Sequence, residues 1–227
     1  MDQPVGWLAL AVFAPVVTGV LTLLLPRPAL AARTWLAFVG PAASLAAVGW
    51  HLGSFGVASV EAAAPAATRT LFWIPSLELN LAFFADGLGA FFALLVAGIG
   101  SLIVLYARGY FGPDPDELHR FYPTLGFFTT AMLGIVLADY TLLTLLFWEL
   151  TSISSFLLIG WDRFNKESVR LAMQAFFTTG LGGMALFGGV LVLGLQTGDW
   201  RWSELLARDW ASMDIALRWN SPWLWCF

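Results

Sequence analysis

Long apolar runs, each closed by a short polar stop, make up most of this chain. A helix needs roughly 20 such residues to cross a bilayer, and six segments are read as crossings. They are Val5–Leu25, stopped by Pro26-Arg27-Pro28; Trp35–His51, with Trp35 and Trp50 as interface anchors; and Leu88–Tyr106, closed by Arg108. Then come Tyr122–Leu137, Tyr140–Gly160 directly after the turn Ala138-Asp139, and Val169–Leu195, ending at Gln196-Thr197-Gly198-Asp199. Trp and Tyr favour the membrane–water interface, which is why they mark the ends of the second span.

Two stretches break this pattern. Ser59–Arg69 is Ala-rich and has no spanning character, and it leads to a turn at Pro75-Ser76. Glu78 to Phe83 then alternates polar or small with apolar residues, the period-2 sign of a half-buried strand. A β-hairpin over residues 70–83, outside the membrane, is expected between the second and third helices. Near the other end, Trp202, Leu205, Leu206 and Trp210 fall at i, i+3, i+4 and i+8. That spacing predicts an interfacial amphipathic helix over 202–213, lying on the membrane surface. The expected fold is therefore all-α and polytopic: a single membrane domain over 1–227 with about six transmembrane helices and a small external β-hairpin.

Composition agrees with the pattern. The 227 residues are 59% hydrophobic and only 11% charged, with mean hydropathy +0.78. A soluble domain carries about 25% charged residues. Cys226 is the one cysteine, so no intrachain disulfide forms, and His51 and His119 make no metal site by themselves. The opening MDQPVG lacks the basic start of a signal peptide, so the first helix is expected to be retained. Loops after helices one, three and five hold Arg27, Arg33, Arg108, Arg120, Arg163, Lys166 and Arg170, seven bases against four on the other side. Basic loops stay cytoplasmic, which places the N-terminus and the hairpin outside.

Against this background Glu149 is the residue to explain. It stands near the middle of the fifth span, in LFWELTSISSFLLIG, where an ionised carboxylate costs about 2.5–3.5 kcal/mol on insertion scales. One reading keeps it protonated and hydrogen-bonded within the bundle, to Ser152 one turn on or to Gln174, Thr178 or Thr179 of helix six. The other makes it a proton or ion relay, the usual meaning of an acid inside a membrane helix. No Lys or Arg falls inside the six proposed spans, so a basic partner must come from elsewhere. Asp86 and Asp139 precede helices three and five; each suits an N-cap, and Asp139 also suits a cation entry point. The glycines of helix six, Gly180 to Gly194, fit close packing. No Gly-rich loop follows a strand and opens a helix, and no Ser/His or Cys/His pairing suggests an enzyme.

FWELTSISSFLLIG, preceded by LGIVLADYTLL, resembles the antiporter-like subunits shared by respiratory complex I and multisubunit Na+/H+ antiporters. The wording is most similar to the MrpA-type subunit of the Mrp (Mnh) antiporters, and WIPSLELNLAFFADGLGAFFALLVAGIGSLIVLYARGYF resembles that subunit's hairpin and third helix. The resemblance runs from about Leu71 to Gly194. It implies monovalent cation (Na+)/proton antiport in a multisubunit complex of a bacterial cell membrane, with other subunits and the lipid bilayer as partners. It implies no cofactor, no nucleic acid and no enzymatic reaction. By the same resemblance Glu149 is the helix-five proton-transfer glutamate, whose partner is a lysine on a seventh helix. This chain stops before that lysine, and its last residues, RWNSPWLWCF, match nothing expected there. The expectation is an N-terminal portion, a truncated or frameshifted reading frame. Two alternatives stay open: a proton-pumping subunit of complex I or of a membrane-bound hydrogenase, and a fragment that does not transport.

Overall fold

A computed structural model describes residues 6–61, 71–74, 79–112 and 114–208. Seven helices form among them: α1 (Gly6–Leu21), α2 (Leu30–Glu61), α3 (Gly87–Tyr110), α4 (Pro115–Leu137), α5 (Thr141–Ile159), α6 (Lys166–Thr197) and α7 (Trp202–Ala207). The first six are long and apolar enough to cross a membrane, with a 3-10 turn at Thr22–Leu24 extending α1. The protein is a multi-pass helical membrane protein.

The helices outrun the apolar spans because hydropathy reports bilayer thickness, not where a helix ends. α4 begins seven residues before Tyr122: Asp114 caps it by accepting from Asp116 and Glu117 N–H, and Pro115 opens its first turn. Pro is tolerated there because that N–H has no helical partner to lose. α6 likewise starts inside the polar loop, capped by Asn165, and stops at Gly198, whose φ of 75° is the left-handed conformation glycine tolerates.

α1 sits between α2 and α4, α3 packs on α2 and α4, and α5 joins α4 to α6. Pro15 interrupts α1 in mid-membrane, where an orphaned backbone group has no water to turn to. Neighbouring helices repair the break. Ser44 of α2 donates its hydroxyl to the Ala11 carbonyl at 2.5 Å, and Thr130 of α4 accepts from Val16 N–H at 3.0 Å. Gly126 makes the approach of α4 possible, since a Cβ there would strike the Pro15 carbonyl. An apolar core of Val12, Phe83, Leu133, Leu137, Leu143 and Phe147 fills the end of the bundle near the α4–α5 turn. A second, around Val104, Leu118, Tyr122 and Leu125, fills the opposite end.

The expected external hairpin requires correction. β1 (Leu71–Ile74) and β2 (Leu79–Leu81) pair antiparallel, but over a short ladder with a register irregularity between Phe72 and Ile74. The turn at Pro75-Ser76 lies outside the described residues. Beyond β2 the chain enters the bundle: Ala82 and Phe83 are buried, and Phe83 bridges to Ala138. What forms is a small ribbon leading into the helical core, not a separate external element.

The interfacial helix is also different. α7 covers six residues, and residues 209–213 of the expected span lie outside the described part. Its apolar side faces protein: Leu205 is buried, and the Trp202 indole donates to the Thr144 hydroxyl at 2.9 Å. Leu206 remains exposed.

Candidate functional site

Asp139 and Glu149, the two acids singled out above, meet opposite environments. Asp139 lies between α4 and α5 and is fully buried. Arg201 donates to Asp139 Oδ2 from Nε at 2.9 Å and from Nη2 at 2.7 Å, and Ser203 N–H donates to Oδ1 at 2.9 Å. The backbone joins in, with Asp139 N–H on the Ala82 carbonyl and Trp202 N–H on the Asp139 carbonyl. Thr141 N–H and hydroxyl both reach the Trp200 carbonyl. These bonds clasp the exit of α6 and the start of α7 onto the start of α5. Arg208 adds an ion pair to Asp199 at 2.6 Å.

The geometry differs from both readings of Asp139. The N-cap of α5 is Tyr140, with no side-chain cap bond. As a cation entry point Asp139 would need access, yet its carboxylate is enclosed and bonded at both oxygens. Arg201 was legible only as a loop charge, because a pair 62 residues apart leaves no spacing signal. Asp86 does cap: its side chain accepts from Gly89 N–H at 2.6 Å.

Glu149 stands near the middle of α5, about 12 Å from one end and 15 Å from the other at 1.5 Å per residue. It is exposed in this chain. Its carboxylate rests against α6 at Gly183, where a Cβ would strike Oε1. The hydroxyls expected to bond it turn to their own helix backbones. Ser152 donates to the Trp148 carbonyl, Thr178 to that of Gln174, and Thr179 to those of Ala175 and Phe176. Among the described residues Glu149 has no hydrogen bond and no ion pair.

The absence of bases from the membrane spans also needs correction. Because α2 begins at Leu30, Arg33 falls within it, fully buried and donating to the Leu25 carbonyl at 2.8 Å. It secures the turn between α1 and α2. On α6 the charged residues are Lys166, Glu167 and Arg170, at its start and roughly 20 Å along the helix from Gly183.

Beyond its contact with Gly183, Glu149 is exposed, and so is much of α6 beside it. α6 packs on α5 alone among the long helices, and Phe177, Leu181, Met184 and Phe187 are exposed along it. Gln174, Thr178 and Thr179 lie exposed on the same helix. A lone carboxyl at mid-membrane depth can bind or release a proton, provided another group reaches it from this face.

Residues 72–122 match the family described as NADH-Ubiquinone oxidoreductase (complex I), chain 5 N-terminus. Residues 138–221, which include both acids, match NADH:quinone oxidoreductase/Mrp antiporter, TM. Together these take in more than half of the chain. It belongs to the antiporter-like subunit family that Mrp antiporters share with complex I. A relative, the A1 subunit of the Na(+)/H(+) antiporter of Staphylococcus aureus (strain JH9), is 45% identical over 129 residues, 57% of this chain and 16% of that protein. The chain thus corresponds to an N-terminal part of an MrpA-type subunit. The fold is similar to a chain in the Mrp complex from Dietzia sp. DQ12-45-1b, with TM-score 0.68, 25% identity and coverage of 92% of this chain and 21% of that one. It is similar too to a chain of respiratory complex I from Thermus thermophilus with bound NADH, at TM-score 0.68 and 25% identity, covering 88% and 39%.

Proposed function

We infer that the chain is part of a multisubunit cation/proton antiporter and that Glu149 carries the proton step. One observation bears most of the weight: a carboxyl in the middle of a membrane helix, exposed although it touches α6 at Gly183, with no hydrogen-bond or ion-pair partner among the described residues. Buried acids held for structure are bonded, as Asp139 is; an acid held for transfer must be reachable. Na+ is the cation favoured, because the Staphylococcus aureus relative is a Na(+)/H(+) antiporter subunit. The assembly is a secondary transporter in a bacterial cell membrane, with the N-terminus and the β ribbon outside the cytoplasm. Among the described residues Glu149 has no second proton station beside it, so transport is assigned to the full-length parent among its sister subunits. Asp139 is assigned to the clasp with Arg201, not to cation entry.

The test is Glu149→Gln in the full-length parent, assayed as cation-dependent pH change in vesicles with matched amounts of assembled complex. Transport should fall at least tenfold, while Glu149→Asp retains part of it. Parent-level transport by Glu149→Gln would overturn the relay. The match to complex I chain 5 supports a second reading, a subunit driven by redox chemistry elsewhere. Antiport in vesicles supplied with no electron donor separates the two.

A further inference from the structure

Trp148 and Glu149 follow one another on α5 and flank α6 at Gly183. A Cβ on Gly183 would lie 3.1 Å from Trp148 Cδ1 and 3.1 Å from Nε1, and closer still to Glu149 Oε1. An indole N–H, a carboxylate oxygen and bare backbone thus converge on one point. The indole nitrogen is buried and has no acceptor among the described residues. Three neighbouring glycines of α6 differ from it: a Cβ at Gly180, Gly182 or Gly188 would meet nothing within 4 Å, whereas one at Gly194 would strike the Trp200 ring.

We propose that Trp148 and Gly183 are positioning residues for Glu149: the Trp148 indole N–H, unpaired in this structure, is the donor that the Glu149 carboxylate takes up when it ionises, and Gly183 leaves the space in which the two meet. The functional meaning rests on the proton-relay reading above. Indole N–H is a donor only and does not titrate in the working range, so it takes no proton itself. Its bond to an ionised carboxylate is stronger than its bond to the neutral acid. The pair therefore tightens when Glu149 gives up its proton to whatever group approaches the open face, and slackens when the proton returns. Among the described residues no other charged side chain is close enough to mimic this. On α6 Lys166, Glu167 and Arg170 stand at the far start, and Asp139 lies about 15 Å along α5. The charged residues of α4, Asp116, Glu117, His119 and Arg120, occupy its first two turns. Near them Glu117 binds the Trp161 indole, beyond the opposite end of α5.

The experiment follows the indole N–H resonances of the twelve tryptophans in the 15N-labelled chain in lipid nanodiscs. The Trp148 resonance is identified by its loss in Trp148→Phe. Raising the pH should move it downfield in the parent sequence and leave it in place in Glu149→Gln. Gly183→Ala should abolish the movement with the other eleven resonances unchanged, while Gly182→Ala, whose methyl meets open space, should keep it. A Trp148 signal that ignores pH, or that moves equally in Glu149→Gln, overturns the proposal; so does a full response in Gly183→Ala. The relay is scored separately, by Glu149→Gln transport in the full-length complex. A responsive indole with unimpaired Glu149→Gln transport keeps the positioning and removes the relay. A silent indole with abolished transport does the reverse.

Discussion

Asp139 and Glu149 lie ten residues apart, one at the mouth of α5 and one near its middle. The acid nearer the end of the helix is the enclosed one, its carboxylate held by a guanidinium and the Ser203 N–H and its backbone carbonyl by the Trp202 N–H. The acid at mid-membrane depth is exposed and has no partner among the described residues. Membrane energetics alone would assign the partner the other way, because the deeper charge costs more. The reversal shows which acid serves the fold. A structural carboxylate must be neutralised within the chain that it stabilises, whereas a carboxyl that exchanges protons loses that capacity if its own chain neutralises it permanently.

The largest effect expected on stability comes from breaking the clasp. Asp139→Ala takes from Arg201, three-quarters buried, the carboxylate that it bonds most closely, with Glu204 at the longer 3.9 Å, and leaves Ser203 N–H without that acceptor. Losing one partner of a buried pair costs about 3–5 kcal/mol. Unfolding of the chain by denaturing detergent in mixed micelles should show that loss. Replacing both partners sharpens the comparison. Asp139→Leu with Arg201→Met removes both charges together, and a well-packed apolar pair is about as stable as the ion pair it replaces. The residual cost should be about 1–3 kcal/mol, the penalty of the Ser203 N–H left unsatisfied. A double variant as unstable as Asp139→Ala would mean that the clasp holds through more than charge.

The Pro15 break gives an uncharged yardstick of the same kind. Ser44→Ala leaves the Ala11 carbonyl without the donor that Pro15 denies it. The cost should be about 1–3 kcal/mol in the same assay. Pro15→Ala in that background supplies an N–H four residues after Ala11 and should recover part of the loss. If Pro15→Ala makes Ser44→Ala worse, the hydroxyl is not the repair of the break.

The six helices were legible because each carries an apolar run long enough to span, a signal that needs no tertiary information. Their ends were less legible. Four of the seven residues that open α4, Asp116, Glu117, His119 and Arg120, are polar, although Asp114-Pro115 with acids in the first turn is a helix-start signal that hydropathy passes over. For Asp86 local chemistry sufficed, because a cap is made within three residues. For Asp139 it did not, since Arg201 and Ser203 arrive only when α6 folds back. Alternation in 78–83 signalled extended backbone but not that Ala82 and Phe83 would be drawn into the core. At Glu149 the residue type and depth were visible in the sequence. Its orientation was not, nor was the bare backbone of Gly183 on which it rests, because both depend on how α6 lies against α5.

The smallest stability effect should come from Glu149 itself, and this separates the two acids most sharply. Glutamine matches glutamate in size and its amide oxygen can still accept the Trp148 N–H, and among the described residues Glu149 has no hydrogen bond or ion pair to lose. Substitutions away from buried networks change stability by about 0.5 kcal/mol or less. Glu149→Gln should therefore unfold within that margin of the parent sequence, in the assay where Asp139→Ala costs several times more. The same substitution in the full-length complex should cost most of the transport. Loss of both together would make Glu149 a second structural acid, its partner lying in helices or subunits that cover the open face. Loss of transport with stability intact is the signature of a group that no charge among the described residues neutralises, so that its proton can move.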